Sequence, residues 1–307
     1  MPVRAGTLLT LWLLACYMPV QAGQVYRWKD VDGITHYGDQ QPLHEGAERV
    51  VVPGGDEPAA VASLRVEDTG RGFFAWADNR LAGPIEVMLH FDHHENVDSD
   101  PALPARATVA AGASGLVAVL SAAEPGRPLE FQLRMDSLPG HPSASPRDVR
   151  YRVPVAGDVR VDQGFGGGFS HQDPENRYAM DFAVPSGTSV LAARAGVVMQ
   201  AEAGFEHGGL DRAALAGRAN FVRVLHDDGT MALYAHLQPG GVLVRVGQHV
   251  EAGQPLGLSG ATGFASGPHL HFAVQVNRGM RLVSLPFRLE QAGGKGADDG
   301  SGALPQR

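Results

Sequence analysis

Cysteine is nearly absent from this chain: Cys16 is the only one in 307 residues. If the N-terminal segment is removed on export, the mature chain has none, which excludes a disulfide framework and a thiolate metal site. Basic residues are also in deficit, 25 Lys and Arg against 33 Asp and Glu, for a formal charge of −8. That balance argues against a dedicated nucleic-acid binder. Long amphipathic helical patterns are missing as well. In their place, glycine (40) and proline (21) make up about one-fifth of the chain, well above the roughly 12% of an average protein. This composition points to a β-rich protein held together by its core and, where present, a metal, and the length allows more than one domain.

The N-terminus carries an address. Met1 to Ala22 has an early Arg4, an apolar stretch from Leu8 to Met18 and a small-residue site, Val20-Gln21-Ala22. This is the pattern of a secretory signal peptide, with cleavage expected after Ala22 and a periplasmic or secreted destination. The apolar stretch is too short for a transmembrane helix, so none is expected in the mature chain. A rival reading takes Leu13-Leu14-Ala15-Cys16 as a lipoprotein box with Cys16 lipidated.

Four segments follow. From Gln24 to Asp39, Tyr26 and Trp28 alternate with polar residues, Asp32-Gly33 is a turn signal, and Ile34 and Tyr37 resume the pattern. This predicts a β-hairpin in a small module over 23–46. It is similar to a module of unknown function found in exported gammaproteobacterial proteins. Its aromatics are read as a tiny core rather than a glycan-binding face. Residues 47–63, with Pro53, Gly54, Gly55 and Pro58, read as a linker. Over 64–154, short apolar segments (Phe73–Trp76, Ile85–Phe91, Leu116–Leu120, Leu129–Leu133, Val149–Val153) are separated by turn residues, which predicts a β-sandwich-like domain. Within it, His90, Asp92, His93, His94 and Glu95 are read as a polar loop leaving a strand rather than a metal cluster, with Asn96 to Pro104 as the loop that follows. The tail over 289–307 reads as disordered.

The remaining region, 155–288, holds the chemistry. In Gly267-Pro268-His269-Leu270-His271-Phe272, two histidines stand at i and i+2 before an apolar alternation of Phe272, Val274 and Val276. On a strand both imidazoles face one side, and imidazole serves both as zinc ligand and as general base. Asp181 interrupts an apolar run, where an unpaired carboxylate is costly to bury, and His236 interrupts another, Leu233-Tyr234-Ala235-His236-Leu237. His171 opens the segment that ends at Asp181.

The runs MDFAVPSGTSVLAARAGVV, NFVRVLHDDGTMALYAHL and GPHLHFAV, with VRVGQHVEAGQPLGLSGATGFASG between the last two, resemble the signature blocks of the lysostaphin-type (LytM-like) zinc metallopeptidases. The resemblance implies a mainly β fold: a C-terminal antiparallel β-sheet peptidase domain behind the β-sandwich-like domain and the small hairpin module. It implies one zinc ion per chain on His171, Asp181 and His271, and two unligated catalytic histidines, His236 and His269. His269 is assigned as general base and His236 as its partner, a choice the residues leave open. One departure is the segment QDPENRYAM, nine residues between His171 and Asp181 where many relatives have three. Loop closure costs little for the extra length, but His207 and His226 stand as rival ligands. Tyr234 and Asn220 are possible supporting groups, or simply a strand aromatic and a turn residue.

By the same resemblance the expected activity is zinc-dependent hydrolysis of peptide bonds in peptidoglycan cross-links or stem peptides. In a Gram-negative source, that means a D-alanyl–diaminopimelate cross-link before a glycine bridge. The alternative is a catalytically silent relative that binds and activates a cell-wall amidase through an unknown protein contact. A third use of the same chemistry is a bacteriolytic toxin. A middle domain that shields the cleft would make the enzyme latent.

Overall fold

A computed structural model describes residues 25–29, 35–38, 48–50, 59–157 and 159–290. The export segment with its cleavage site and Cys16, most of the linker, and the tail from residue 291 lie outside the described residues. The protein is almost entirely β, with one four-residue helix, Arg212–Leu215, among the described residues.

The described strands before residue 54 belong to one unit. In it Val25–Lys29 pairs antiparallel with Thr35–Gly38, in the register Tyr26↔Gly38 to Lys29↔Thr35, which is the expected hairpin. A third strand, Glu48–Val50, pairs on the other side of Val25–Lys29. It begins inside the segment read as a linker. The pairing supplies the third strand that an isolated hairpin needs for stability.

Residues 55–307 form the second unit. Its first part has two antiparallel sheets. One runs Ala62–Asp68, Phe73–Asn79, Ser114–Ala122, Val97–Asp100; the other runs Glu130–Pro139, Ile85–Glu95, Ala105–Val109. Alternation decides the inner faces. Ala75 and Ala77 of the first sheet and Ile85, Val87 and Leu89 of the second are completely buried in one cluster. Two expectations need correction. His93, His94 and Glu95 are exposed but remain within the strand Ile85–Glu95 rather than in a loop. Val97–Asp100 is likewise a strand, at a sheet edge, with only Val97 buried. A single inward apolar residue leaves no alternation for a sequence to display.

The second part is built on a ten-stranded antiparallel sheet, open rather than closed into a barrel. Its central strands, in order, are Arg160–Gln163, Met180–Ala183, Leu270–Asn277, Met231–Val242, Asn220–Leu225, Gly196–Glu202 and His249–Val250. Leu270–Asn277 is buried at every residue, because both of its faces are covered. Below it lies a core of Phe182, Val222, Tyr234, Leu270 and Phe272. Met199, Met231 and Leu282 leave this part to join the core of the two smaller sheets, so the two parts share one packed interior.

Candidate metal centre and catalytic cleft

Three sequence-distant residues converge where the central strands meet. Asp181 and His271 are direct cross-strand partners, and His171 arrives from the preceding loop. All three are buried, and their ligand-type atoms lie within 4.8 Å of one another. His271 Nδ1 is 2.9 Å from Asp181 Oδ1, His171 Nε2 is 3.2 Å from the same oxygen, and the two ring nitrogens are 3.3 Å apart.

The far side of each ring fixes what the near side presents. His171 Nδ1–H donates to the Gly164 carbonyl at 2.9 Å, and His271 Nε2–H donates to Asn176 Oδ1 at 3.0 Å. With both protons committed outward, two imidazole lone pairs and a carboxylate oxygen face one point. Such a set is repulsive unless a cation sits among it, and two nitrogens with one oxygen is a zinc donor set with room for a fourth ligand. A proton is the competing cation. Burial pulls His171 down, but the Asp181 hydrogen bond and charge outweigh it and hold the imidazole above its ordinary value. Burial would push Asp181 up, yet hydrogen bonds from His171 and His271 hold it far below the carboxylate range.

Two supporting residues carry no signal in the sequence. Gln163 Nε2 donates to Asp181 Oδ2 at 3.0 Å, while its Oε1 accepts from the Phe169 amide. Asn176, the acceptor for His271, sits inside the nine-residue insertion. There Asp173 holds it, accepting from its backbone and side-chain amides. The insertion therefore does more than close a longer loop, since it supplies the group that sets the His271 tautomer.

His236 and His269 stand beside this trio, with ring centroids 4.6 Å apart, and His236 lies 5.8 Å from His271. His269 Nε2 is 3.9 Å from Asp181 Oδ1. Each ring is turned by a backbone carbonyl that accepts its Nδ1–H: Thr262 for His236 at 2.7 Å, Gly267 for His269 at 2.8 Å. Both Nε2 atoms are left free to exchange a proton. Burial, then the neighbouring His269 and His271, pushes His236 down to about 3, so its imidazole is neutral at working pH.

His236 reaches the cleft by an irregularity. Strict alternation would put it on the core face with Tyr234. The register steps from Phe221↔Ala235 to Asn220↔Leu237, so His236 is the extra residue of a β-bulge, with φ at +64°. Bulges of this kind re-aim a side chain, and a left-handed non-glycine residue costs about 1–3 kcal/mol. Asn220 and Thr262 brace the spot. The Asn220 amide donates to Thr262 Oγ1, and that hydroxyl donates to the Leu237 carbonyl. Gly260 matters nearby because its carbonyl accepts the His269 amide. A Cβ there would lie 2.5 Å from Gln238 Cα.

Four of the five positions, Asp181, His236, His269 and His271, line one cleft of about 560 Å³ with Gln163 and Asn176, and His171 is fully buried against Asp181 and His271. The lining of the cleft begins at Asp162, so among the described residues the middle sheets do not cover it. The rival ligands lie elsewhere. His207 is exposed. His226 is buried against Tyr151, with Nδ1 on the Ala195 carbonyl. Tyr234 is a core residue whose hydroxyl accepts from the Ala193 amide.

Residues 175–282 match the profile described as Peptidase family M23, and residues 10–63 match a domain of unknown function, DUF4124. The first match includes Asp181, His236, His269 and His271 and starts after His171. Peptidoglycan DD-endopeptidase ShyA of Vibrio cholerae is 38% identical over 112 residues, 36% of this chain and 23% of that protein. Lysostaphin of Staphylococcus simulans is 37% identical over 101 residues, 33% of this chain and 18% of that protein. The crystal structure of a zinc-containing peptidase from Vibrio cholerae aligns over 73% of this chain and 83% of that one, at 18% identity and a TM-score of 0.34. The chain spans about a quarter or less of the length of the curated relatives it matches.

Proposed function

We propose, from the premise that this chain carries a peptidase family M23 domain, that it is a zinc-dependent endopeptidase cutting peptide bonds in peptidoglycan. The observation that carries the reading is the convergence of His171, Asp181 and His271, with their outer N–H groups already committed and two unligated histidines alongside. When bound, zinc polarises a carbonyl and lowers the pKa of water toward neutrality.

The chain's own residues supply the rest. His269 takes up the proton of the attacking water at Nε2, and the same proton can return to the leaving amine. His236, held neutral by burial and by the neighbouring His269 and His271, with its Nδ1–H on the Thr262 carbonyl, presents an Nε2 lone pair that orients the attacking water as partner to His269. Gln163 and Asn176 hold Asp181 and His271 in place. The names of relatives such as ShyA and the carboxypeptidase/endopeptidase Mpg favour a peptidoglycan substrate, and a cross-link of the Gram-negative type before a glycine bridge. That substrate lies outside the cytoplasmic membrane, in keeping with the expected export segment. Among the described residues no helix is long and apolar enough to cross a membrane.

The alternative, a silent amidase activator, is disfavoured because all five positions carry side chains competent for chemistry. Digestion of cross-linked muropeptides by the zinc-loaded full chain tests the choice. Cleavage of the dimer peptide, abolished by chelator and by His269→Ala, is the expected result. An intact dimer, with stimulation of an added amidase instead, would transfer the protein to the regulatory class.

A further inference from the structure

The cleft contains a second built feature that the zinc chemistry does not use. Arg223, on Asn220–Leu225, lines the cleft and is only 8% exposed. A guanidinium that deeply buried is normally paired with a carboxylate. Here, among the described residues, its one hydrogen bond is from Nη1 to Gln275 Oε1, at 2.5 Å. Its Nε–H is buried with no partner, and among the described residues no carboxylate lies within ion-pair distance, Glu175 acting on it only through longer-range charge. Gln275 is 1% exposed and fixed by its own bond, since Nε2 donates to the Glu175 carbonyl at 3.0 Å. Its oxygen is thus held toward the arginine. The Phe221 ring, 5.9 Å from Cζ, backs the guanidinium.

The bland account is that Arg223 is a packing residue whose aliphatic stem fills space. A methionine or leucine would do that without stranding a donor. The arginine fork matches a carboxylate in a two-point, planar fashion. We propose that Arg223, oriented by Gln275, is a carboxylate-recognition subsite, so that the substrate is a peptide bearing a free carboxylate at a set distance from the bond cut. This rests on the endopeptidase reading and deepens it. Gln275 is four residues beyond His271 on one strand face, about 13 Å away. A peptide lying along the strand would therefore place the carboxylate about four residues from the reacting carbonyl. Asp162 and Asp173 line the same cleft and repel a carboxylate placed beside them, while the cleft's other arginine, Arg212, is exposed over the Phe264 ring, which leaves Arg223 as the buried, fixed cation that can set register.

The test uses one cross-linked peptide in three forms: free acid, amidated at the chain terminus only, and amidated at side-chain carboxyls only. With zinc-loaded wild type, amidation at one of the two places is expected to raise KM tenfold or more with kcat nearly unchanged, as for a remote binding contact. Which form loses affinity identifies the carboxylate. In Arg223→Gln the acid and amide forms should become equal, with zinc content retained, and Arg223→Lys should recover part of the preference. Equal KM for all three forms in the wild type would overturn the proposal even if the variants fail to fold, as would a preference that survives in Arg223→Gln. If the wild type cleaves none of the three, the endopeptidase reading falls. Calorimetric binding of the same peptides then decides the subsite separately: tighter binding of the acid that is lost in Arg223→Gln upholds it, and equal binding rejects it.

Discussion

The chain holds two groups of histidines with acidic neighbours, and they have opposite fates. His90, Asp92, His93, His94 and Glu95 lie at the end of one strand, Ile85–Glu95. His93 and His94 are exposed, His94 stacks on Phe91, and His90 sits 3.1 Å from Asp136. No three of their ligand atoms converge. His171, Asp181 and His271 come from three separate segments, yet converge in a buried pocket with every outer nitrogen already bonded. Proximity in sequence is therefore a poor guide to a metal site. Burial, a committed second nitrogen and convergence with other donors on one point together set the proposed ligands apart from surface histidines.

The sharpest way to break this comparison is to remove one member from each group. His271→Ala should lose bound zinc and at least a thousandfold in cleavage, whereas His93→Ala and His94→Ala should leave both unchanged. Metal analysis and muropeptide turnover on matched samples read both effects. A smaller effect separates ligands from their neighbours. His269→Ala and His236→Ala should keep zinc but lower kcat by about 10²- to 10⁴-fold. Loss of zinc in either would mean that the ligand set is misassigned. Smaller again is the supporting layer. Asn176→Ala and Gln163→Ala should weaken zinc affinity about 10- to 100-fold, measured by competition with a chromophoric chelator.

The smallest expected effect concerns a third kind of histidine, buried but alone. His226 is 3% exposed, its Nε2 has no partner, and burial pushes it down to about 4. A histidine whose folded value lies below its unfolded 6.5 is neutral in the fold while the unfolded chain still takes a proton. Its stabilising contribution is therefore complete above pH 6.5 and is lost as pH falls toward 4, by about 3 kcal/mol in all. Denaturant titrations at pH 7 and pH 4.5 should show that slope, and His226→Asn should flatten it. An unchanged slope in the variant would mean that other groups dominate acid sensitivity.

The sequence marks Asp181 and His236 as polar residues within apolar runs and His269 and His271 by their i, i+2 spacing, while His171, in a loop, rests on the family resemblance. It was silent on what holds them. Gln163 ends the short strand Arg160–Gln163 and Asn176 lies in a loop, neither with a periodicity that marks it, and Asn176 falls in an insertion that reads as mere extra length. The bulge that turns His236 toward the cleft depends on pairing between two strands, a property of neither strand alone. Nothing in the sequence sets Arg223 apart, and only the structure shows that its Nε–H is buried without a partner. The polar edge strand Val97–Asp100 has no hydropathy signal, because pairing with Ser114–Ala122 is what defines it.

The central claim is that one cation belongs among His171, Asp181 and His271. It is tested most directly by titrating zinc into the chelator-stripped full chain by calorimetry at pH 7.5, beside His171→Ala and His271→Ala. The account predicts one tight site per chain, lost or weakened by orders of magnitude in both variants. The affinity should fall as pH is lowered, because protons compete for the two histidines. Tight binding that survives in His171→Ala would contradict it and would place the metal on a set that excludes the residue opening the insertion.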